Sequence, residues 1–287
     1  MNFIRTYIGP LTIGLFIFIN IFIWSAVFAQ ERDSILTVAF LDVGQGDAIF
    51  IEAPNGNQML VDGGPNAAVL RELSRMMPFS DRSIDVVVAT HPDKDHIAGL
   101  IDVFKRYDVA MYLDSGVTHD TGEYKTLLEA VEREGIAATL ARRSMNIVLD
   151  GERGVYVEIL FPDRDVSNVE SNLGSIVMKL VYGETEVMLT GDSPKSIEKY
   201  LVSIDGNNLK SDILKAGHHG SKTSSRESFV GFVNPEYVII SAGKDNRYSH
   251  PHQEVLDIFE RFNIETIHTA DVGTIIFTSD GDIFTQR

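Results

Sequence analysis

His91-Pro92-Asp93-Lys94-Asp95-His96 follows directly on the apolar run Asp85-Val86-Val87-Val88-Ala89-Thr90. The run reads as a fully buried strand, and residues 97–106 (IAGLIDVFKR) have the periodicity of a helix. The residues between them form a strand-to-helix turn carrying two histidines and two aspartates. In an extended loop, positions 91, 93 and 95 alternate in direction, and the turn into the helix brings His96 round. One loop can thus feed two metal ions, with His91 and Asp93 serving one and Asp95 and His96 the other. The plainer reading is a helix-capping loop, since Asp93 or Asp95 can cap the helix. Capping accounts for one acid and leaves the other acid and both histidines without a reason. Imidazole and carboxylate donors together favour zinc, with manganese or iron acceptable at a similar site.

The rest of the chain repeats this placement of donors at strand ends. Asp62 ends QMLVD (58–62) and runs into Gly63-Gly64. Asp192 ends EVMLTGD (186–192), and His218 and His219 end DILKAGHH (212–219) ahead of Gly220-Ser221-Lys222. Asp-Gly and Thr-Gly-Asp are each ordinary turn signals, but separate strand ends converge here on one kind of chemistry. LTVAFLDV (36–43), AIFIEA (48–53) and QMLVDGG (58–64) read as consecutive strands, with Pro54-Asn55-Gly56-Asn57 turning between the last two. Further strands are predicted at 109–115, 155–162, 175–183, 237–243 and 274–284. Helices are predicted at 66–76, 123–134, 194–203, 225–233 and 252–262. Strands outnumber helices and interleave with them, which suits two sheets face to face with helices outside, a layered α/β sandwich. No Pro/Gly/Ser-rich linker interrupts 35–287, so one domain is expected there.

The formal charge is −16 over 287 residues, and there is no cysteine, so any metal must be held by His, Asp, Glu or Asn. An acidic surface argues against a broad nucleic-acid footprint, although salt screens such fields within about 8 Å. Locally, residues 215–250 carry Lys215, Lys222, Arg226, Lys244 and Arg247 against Glu227, Glu236 and Asp245, a mildly basic stretch. No stripe of interleaved aromatic and basic residues, as single-strand binders use, is visible along the chain. Between Arg5 and Glu31 there is no charge, and residues 8–29 (IGPLTIGLFIFINIFIWSAVFA) are apolar almost throughout. Residues 1–30 are therefore expected to be a signal peptide or an N-terminal membrane anchor. Either would place the body outside the cytoplasm, secreted or anchored to the cytoplasmic membrane.

LDVGQGDAIFI (41–51), THPDKDHIAGL (90–100), SNLGSIVMKL (171–180), LTGD (189–192), LKAGHHGSK (214–222) and SAGKDNRYSHPHQEVL (241–256) occur in this order. Together they resemble the metallo-β-lactamase superfamily and, within it, the C-terminal nuclease-like domain of ComEC-type competence (DNA uptake) proteins, over residues 36–286. The resemblance implies a four-layer αββα sandwich. It implies that Asp192 bridges two divalent ions, zinc or manganese, and that one of His218 and His219 completes the second position. His219 is preferred as the ligand, with His218 facing substrate and Asp62 orienting a ligand histidine from behind. Many relatives give the first ion a further histidine, and here Asn172 or His119 is the candidate. The activity implied is that of an exported phosphodiesterase or nuclease acting on DNA. Two ions would bring the pKa of a shared water towards 7, and Asp95, His218, His250 and Lys222 would act on the substrate. Ser221 and Lys222 would meet a phosphate oxygen, and His250 would contact substrate or protonate the leaving group. The alternatives are a hydrolase of a small phosphodiester or lactone, and a metal-binding accessory protein without turnover.

Overall fold

Strand β1 (Leu36–Phe40) shows how the layers arise. Leu36, Val38 and Phe40 point into one apolar cluster and Ala39 into another, as the two-residue period of a strand requires. Both faces of the strand are covered, and every layer of the body follows from that. The structure, a computed structural model, describes residues 12–24 and 35–287.

β1 belongs to an eight-stranded sheet with β2 (Ile49–Glu52), β3 (Gln58–Val61), β4 (Ser83–Ala89), β5 (Asp108–Asp114), β6 (Ala138–Leu140), β14 (Ile275–Ser279) and β15 (Phe284–Gln286), in the order β15-β14-β1-β2-β3-β4-β5-β6. A seven-stranded sheet holds β7 (Asn146–Asp150), β8 (Val155–Phe161), β9 (Val177–Tyr182), β10 (Thr185–Leu189), β11 (Ile213–Lys215), β12 (Tyr237–Ile240) and β13 (Glu265–His268), in the order β13-β12-β11-β10-β9-β8-β7. The inner faces meet in one core that includes Val38, Phe40, Met59 and Val88 from the first sheet and Val157, Met178, Leu189 and Ile213 from the second. Over the outer face of the first sheet lie α2 (Ala68–Met76), α3 (Lys94–Phe104) and α4 (Gly122–Arg133). Over that of the second lie α5 (Lys195–Asp205), α6 (Glu227–Val233) and α7 (Gln253–Arg261). Helix, sheet, sheet and helix stack as the sequence leads one to expect.

Each sheet is half parallel. β3 to β6 run parallel to their neighbours, as do β10 to β13, while the remaining pairs are antiparallel. Asp62 follows β3, His91 follows β4, Asp192 follows β10, and His218 and His219 follow β11. All leave the carboxyl ends of parallel strands, where open α/β sheets gather their ligands.

Some details differ from expectation, among them β7 (Asn146–Asp150), which lies outside the expected strands. The stretch 212–219 is not one strand, because β11 stops at Lys215 and residues Gly217–Gly220 form a tight 3-10 turn. The short strands β6 and β15 carry no apolar run of their own and exist through pairing with β5 and β14. At the N-terminus, residues 12–24 form helix α1. Among the described residues no helix is long and apolar enough to cross a membrane. The flanks on which a signal or anchor is read, residues 1–11 and 25–34, lie outside the described residues.

Glu198 of α5 ties the second helical layer together. Its buried carboxylate accepts the backbone N–H groups of Ser225 at 2.7 Å and Arg226 at 2.6 Å. Burial nevertheless pushes its pKa from 4.5 up to about 7. The folded protein therefore keeps a proton that the unfolded chain releases near pH 4.5. Stability should fall as pH rises from about 4.5 to about 7 and then level off. Urea melts across this range should lose that slope in Glu198→Gln, and an unchanged slope would show that the proton sits elsewhere.

Candidate metal centre

Two histidines are aimed into the seam between the sheets by carboxylates behind them. Asp62 has a positive φ of 59°, which turns its side chain back under β4. There it accepts the Thr90 N–H at 2.8 Å and the Thr90 hydroxyl at 2.7 Å. Its Oδ2 also lies 2.7 Å from His96 Nδ1, so the lone pair of His96 is left on Nε2, pointing inward. On the opposite side, His219 Nδ1 is 3.3 Å from Asp47 Oδ1, which is itself 2.8 Å from the ammonium of buried Lys215. His219 therefore also presents Nε2, and the two Nε2 atoms stand 3.3 Å apart. Two lone pairs facing each other at that distance call for a cation, either a proton or a metal.

Glycine permits the close packing behind these contacts. A Cβ on Gly46, whose φ is 121°, would fall 2.0 Å from the Asp95 carbonyl oxygen. A Cβ on Gly99 would fall 1.9 Å from the Gly63 carbonyl oxygen. Asp47 and α3 could not otherwise come this near to the turn that carries Asp93 and Asp95. His218 and His219 sit in the left-handed region, with φ of 49° and 56°, a conformation that costs non-glycine residues on the order of 1–3 kcal/mol each.

Asp192 is the common point. Its Oδ1 lies 3.3 Å from His96 Nε2, and its Oδ2 lies 3.6 Å from His219 Nε2 and 3.8 Å from His91 Nε2. Asp95 Oδ2 is 3.5 Å from His219 Nε2, and Asp93 Oδ2 is 3.7 Å from His91 Nε2. The donors fall into two groups that share Asp192, one of His91 and Asp93 and the other of Asp95, His96 and His219. His218 Nε2 approaches the same Asp192 oxygen as His91, at 3.6 Å, while its Nδ1 is held by Thr223 at 3.0 Å.

The charges fit a cation. Burial opposes charge on every group here, yet Asp192 and Asp62 hold the His96 pKa well above the usual range. Asp192 and Asp47 raise His219 to about 9. Against the same burial, His219 and His96 drive Asp192 well below the carboxylate range, and the His219 hydrogen bond helps bring Asp95 to about 2. Burial and the neighbouring His96 lower His91. Buried His91 Nε2 and Asp192 Oδ1 make no hydrogen bond. A nitrogen and oxygen donor set with such orphaned atoms suits a divalent metal. Asp47, His96, Asp192 and His219 each place a donor within 4.8 Å of the others. Of these, Asp47 lies 3.3 Å from Nδ1 of His219 and pairs with Lys215, so it steadies His219 by charge, where Asp62 holds His96 by a hydrogen bond.

The remaining candidates surround this cluster. His250 sits with its ring 5.4 Å from that of His218 and stacked on Tyr248 at 5.6 Å. Burial and the nearby His218 push its pKa down to about 4. Lys222 is exposed, and its backbone N–H donates to His252 Nδ1 at 3.3 Å. Asn172 lies on the 3-10 turn Ser171–Gly174, its Oδ1 buried without a hydrogen-bond partner. The next residue after that turn, Ser175, lies 3.5 Å from His91 Nδ1 and accepts the Asp192 N–H. His119 is exposed and bonded to Thr121.

The sequence does not single out Asp47 or Lys215. A lysine inside the apolar run DILKA and an aspartate in a Gly-rich loop carry no local signal of being buried together. If both carboxylates orient their histidines, Asp47→Ala and Asp62→Ala should each weaken metal binding about 10- to 100-fold. Competition with a chromogenic chelator reads this directly, and full affinity in either variant would remove that residue from the role.

A sequence model of the metallo-beta-lactamase superfamily matches residues 41–244. ComE operon protein 3 of Bacillus subtilis (strain 168) is 32% identical over 256 residues, covering 83% of this chain and 32% of that protein. Competence protein ComA of Neisseria gonorrhoeae is 29% identical over 258 residues, covering 90% of this chain and 34% of the relative. The chain thus spans about a third of the length of these curated relatives. Among solved structures, CmlA, a diiron beta-hydroxylase from Streptomyces venezuelae, superposes with a TM-score of 0.52 at 16% identity. The match covers 81% of this chain and 53% of CmlA, a likeness of fold alone.

Proposed function

The chain belongs to the metallo-beta-lactamase superfamily, and on that premise we propose that it is a two-ion phosphodiesterase whose substrate is DNA. The observation that carries this reading is Asp192, shared between the two groups of donors. His91 and Asp93 would hold one ion and Asp95, His96 and His219 the other, with Asp192 common to both. His218 Nε2, 3.6 Å from Asp192 Oδ2, supports that residue as a further donor to the cluster in preference to Asn172 or His119. Zinc or manganese suits this donor set. Bound there, such ions supply a nucleophile at neutral pH and offset charge developing on a phosphoryl oxygen. Competence proteins among the relatives support DNA as the substrate class. The uncharged stretch before Glu31 supports export, with residues 35–287 acting as one domain outside the cytoplasm.

The chain's own groups then have distinct tasks. Asp95 is ionised at neutral pH and reaches solvent, so it accepts a hydrogen bond from the attacking water and orients it. His250, with a pKa near 4, is neutral at pH 7 and serves as a hydrogen-bond partner for substrate instead of a proton donor. Lys222, exposed three residues after His219, offers its ammonium to a phosphate oxygen. The test is to load the purified chain with zinc or manganese and assay plasmid DNA, single-stranded DNA and bis-p-nitrophenyl phosphate. Cleavage of DNA supports the proposal. Hydrolysis of the small diester alone would make this a small-molecule phosphodiesterase. Stoichiometric metal binding with no turnover would leave an accessory role or a substrate that is not a phosphodiester.

A further inference from the structure

On the outer face of the second sheet, away from the metal donors, α5, α6 and α7 enclose a groove of about 1110 Å³. Lys195, Lys210 and Arg226 line it together with Phe232 and Phe262. In a chain of 41 acidic against 25 basic residues, three cations in one groove are out of proportion. None of the three forms an ion pair among the described residues. The single acid of the groove, Glu227, is already paired with Arg261 at 3.1 Å. The Arg226 side chain donates only to Ser228, at 3.0 Å.

The aromatic rings are equally out of place for a surface. Phe232 is 39% exposed and Phe262 38%. Gly231 gives Phe262 its seat, because a Cβ there would lie 3.3 Å from the ring. These residues come from four separate stretches of sequence, so the basic and aromatic combination that is missing along the chain is assembled in the fold.

The groove is also tied to the metal centre through the chain. Lys195 follows Asp192 by three residues, and Arg226 follows His219 by seven. The two stretches are stitched together. Lys195 N–H donates to the Thr223 carbonyl at 2.8 Å, the Ser224 hydroxyl donates to the Ser193 carbonyl at 2.8 Å, and Glu198 holds the N–H groups of Ser225 and Arg226. Both walls are therefore direct extensions of loops that carry metal donors. Lys195 opens α5 and Lys210 follows the turn Gly206–Leu209 beyond it, so the cations stand on separate elements and offer more than one place for a phosphate.

We propose that this groove binds single-stranded nucleic acid, with phosphates on Lys195, Lys210 and Arg226 and bases stacked on Phe232 and Phe262. A basic groove with stacking rings is the chemistry by which strands are held without regard to sequence. The proposal rests on the phosphodiesterase reading, since the walls of the groove are chain extensions of the loops that carry Asp192 and His219.

Fluorescence anisotropy with a fluorescein-labelled oligothymidylate tests it, using the full chain in a chelator so that the probe is not consumed. The unaltered chain should bind. The triple variant Lys195→Gln, Lys210→Gln, Arg226→Gln should bind at least about tenfold more weakly. Its slope of log affinity against log salt should be shallower by about 2, at about 0.7 for each phosphate that is no longer neutralised. Phe232→Ala should weaken binding about fivefold or more with the salt slope unchanged. Circular dichroism confirms that the variants fold, and these side chains bear little on the core. The groove is overturned if the unaltered chain does not bind, if the triple variant binds as well as the parent, or if polyglutamate displaces the probe as readily as unlabelled strand. That last result would assign the groove to an acidic polypeptide. Hydrolysis of bis-p-nitrophenyl phosphate by the unaltered, metal-loaded chain reports on the hydrolase reading separately. Turnover without strand binding removes the groove alone, and strand binding without turnover of any diester removes the hydrolase alone.

Discussion

Asp192→Ala should abolish both metal loading and hydrolysis, with metal affinity falling by more than the roughly 100-fold upper range seen for residues behind the ligands. The side chain is 3% exposed and is approached by four imidazoles, at 3.8 Å from His91, 3.3 Å from His96, 3.6 Å from His218 and 3.6 Å from His219. No neighbouring carboxylate can replace it in both groups, because Asp93 reaches only His91 and Asp95 only His219. The metal-free protein should suffer as well. Taking away the anion between buried imidazoliums leaves uncompensated charge, for which a cost of about 3–5 kcal/mol is usual. Urea melts in a chelator measure that loss, and isothermal titration with zinc measures the affinity. Asp192→Asn keeps the volume and should fail to bind metal in the same way. Near-normal affinity in either variant would mean that the two groups of donors are not joined through this residue.

Loading the metal-free protein at pH 7 should release at least one proton for each chain filled, because a coordinating nitrogen must first lose its own. It comes from the facing Nε2 atoms of His96 and His219, 3.3 Å apart, whose pKa values are both raised, that of His219 to about 9. Affinity should accordingly climb with pH up to about 9. The same groups set the stability of the metal-free fold. A folded pKa raised above 6.5 contributes stability that is complete below pH 6.5 and is lost as pH rises through about 9. Thermal melts in a chelator should decline over that window, and the metal-loaded protein should not. Titrations in buffers of differing ionisation enthalpy count the protons. A count near zero would place the charges elsewhere in the cluster.

What could be read in the sequence and what could not divides along a physical line. The turn 91–96 was legible because an apolar strand and a periodic helix bracket it, so local pattern alone fixes where four polar side chains must go. Asp192, His218 and His219 were legible for the same reason, as polar residues at the ends of apolar runs. Asp47 and Lys215 were not, because their burial depends on each other. Each alone would be expelled to the surface, and only the fold brings the two within 2.8 Å. The left-handed turn at His218 and His219 is likewise held by its surroundings, including the His218 N–H bond to the Gly191 carbonyl at 3.1 Å. The groove beside α5 escaped for want of any linear trace, its rings and cations being contributed by elements distant along the chain. The short edge strands β6 and β15 belong to the same class, since their partners make them strands.

The donors come from both sheets: His91 and His96 follow a strand of the eight-stranded one, and Asp192 and His219 follow strands of the seven-stranded one. An ion held among them is therefore a rivet through the sandwich. The sheets could slide or part at that end only by tearing out its ligands, and the ion could leave only as the sheets give way. With an ion bound there, the fastening of the core and the metal chemistry of the site would be one property.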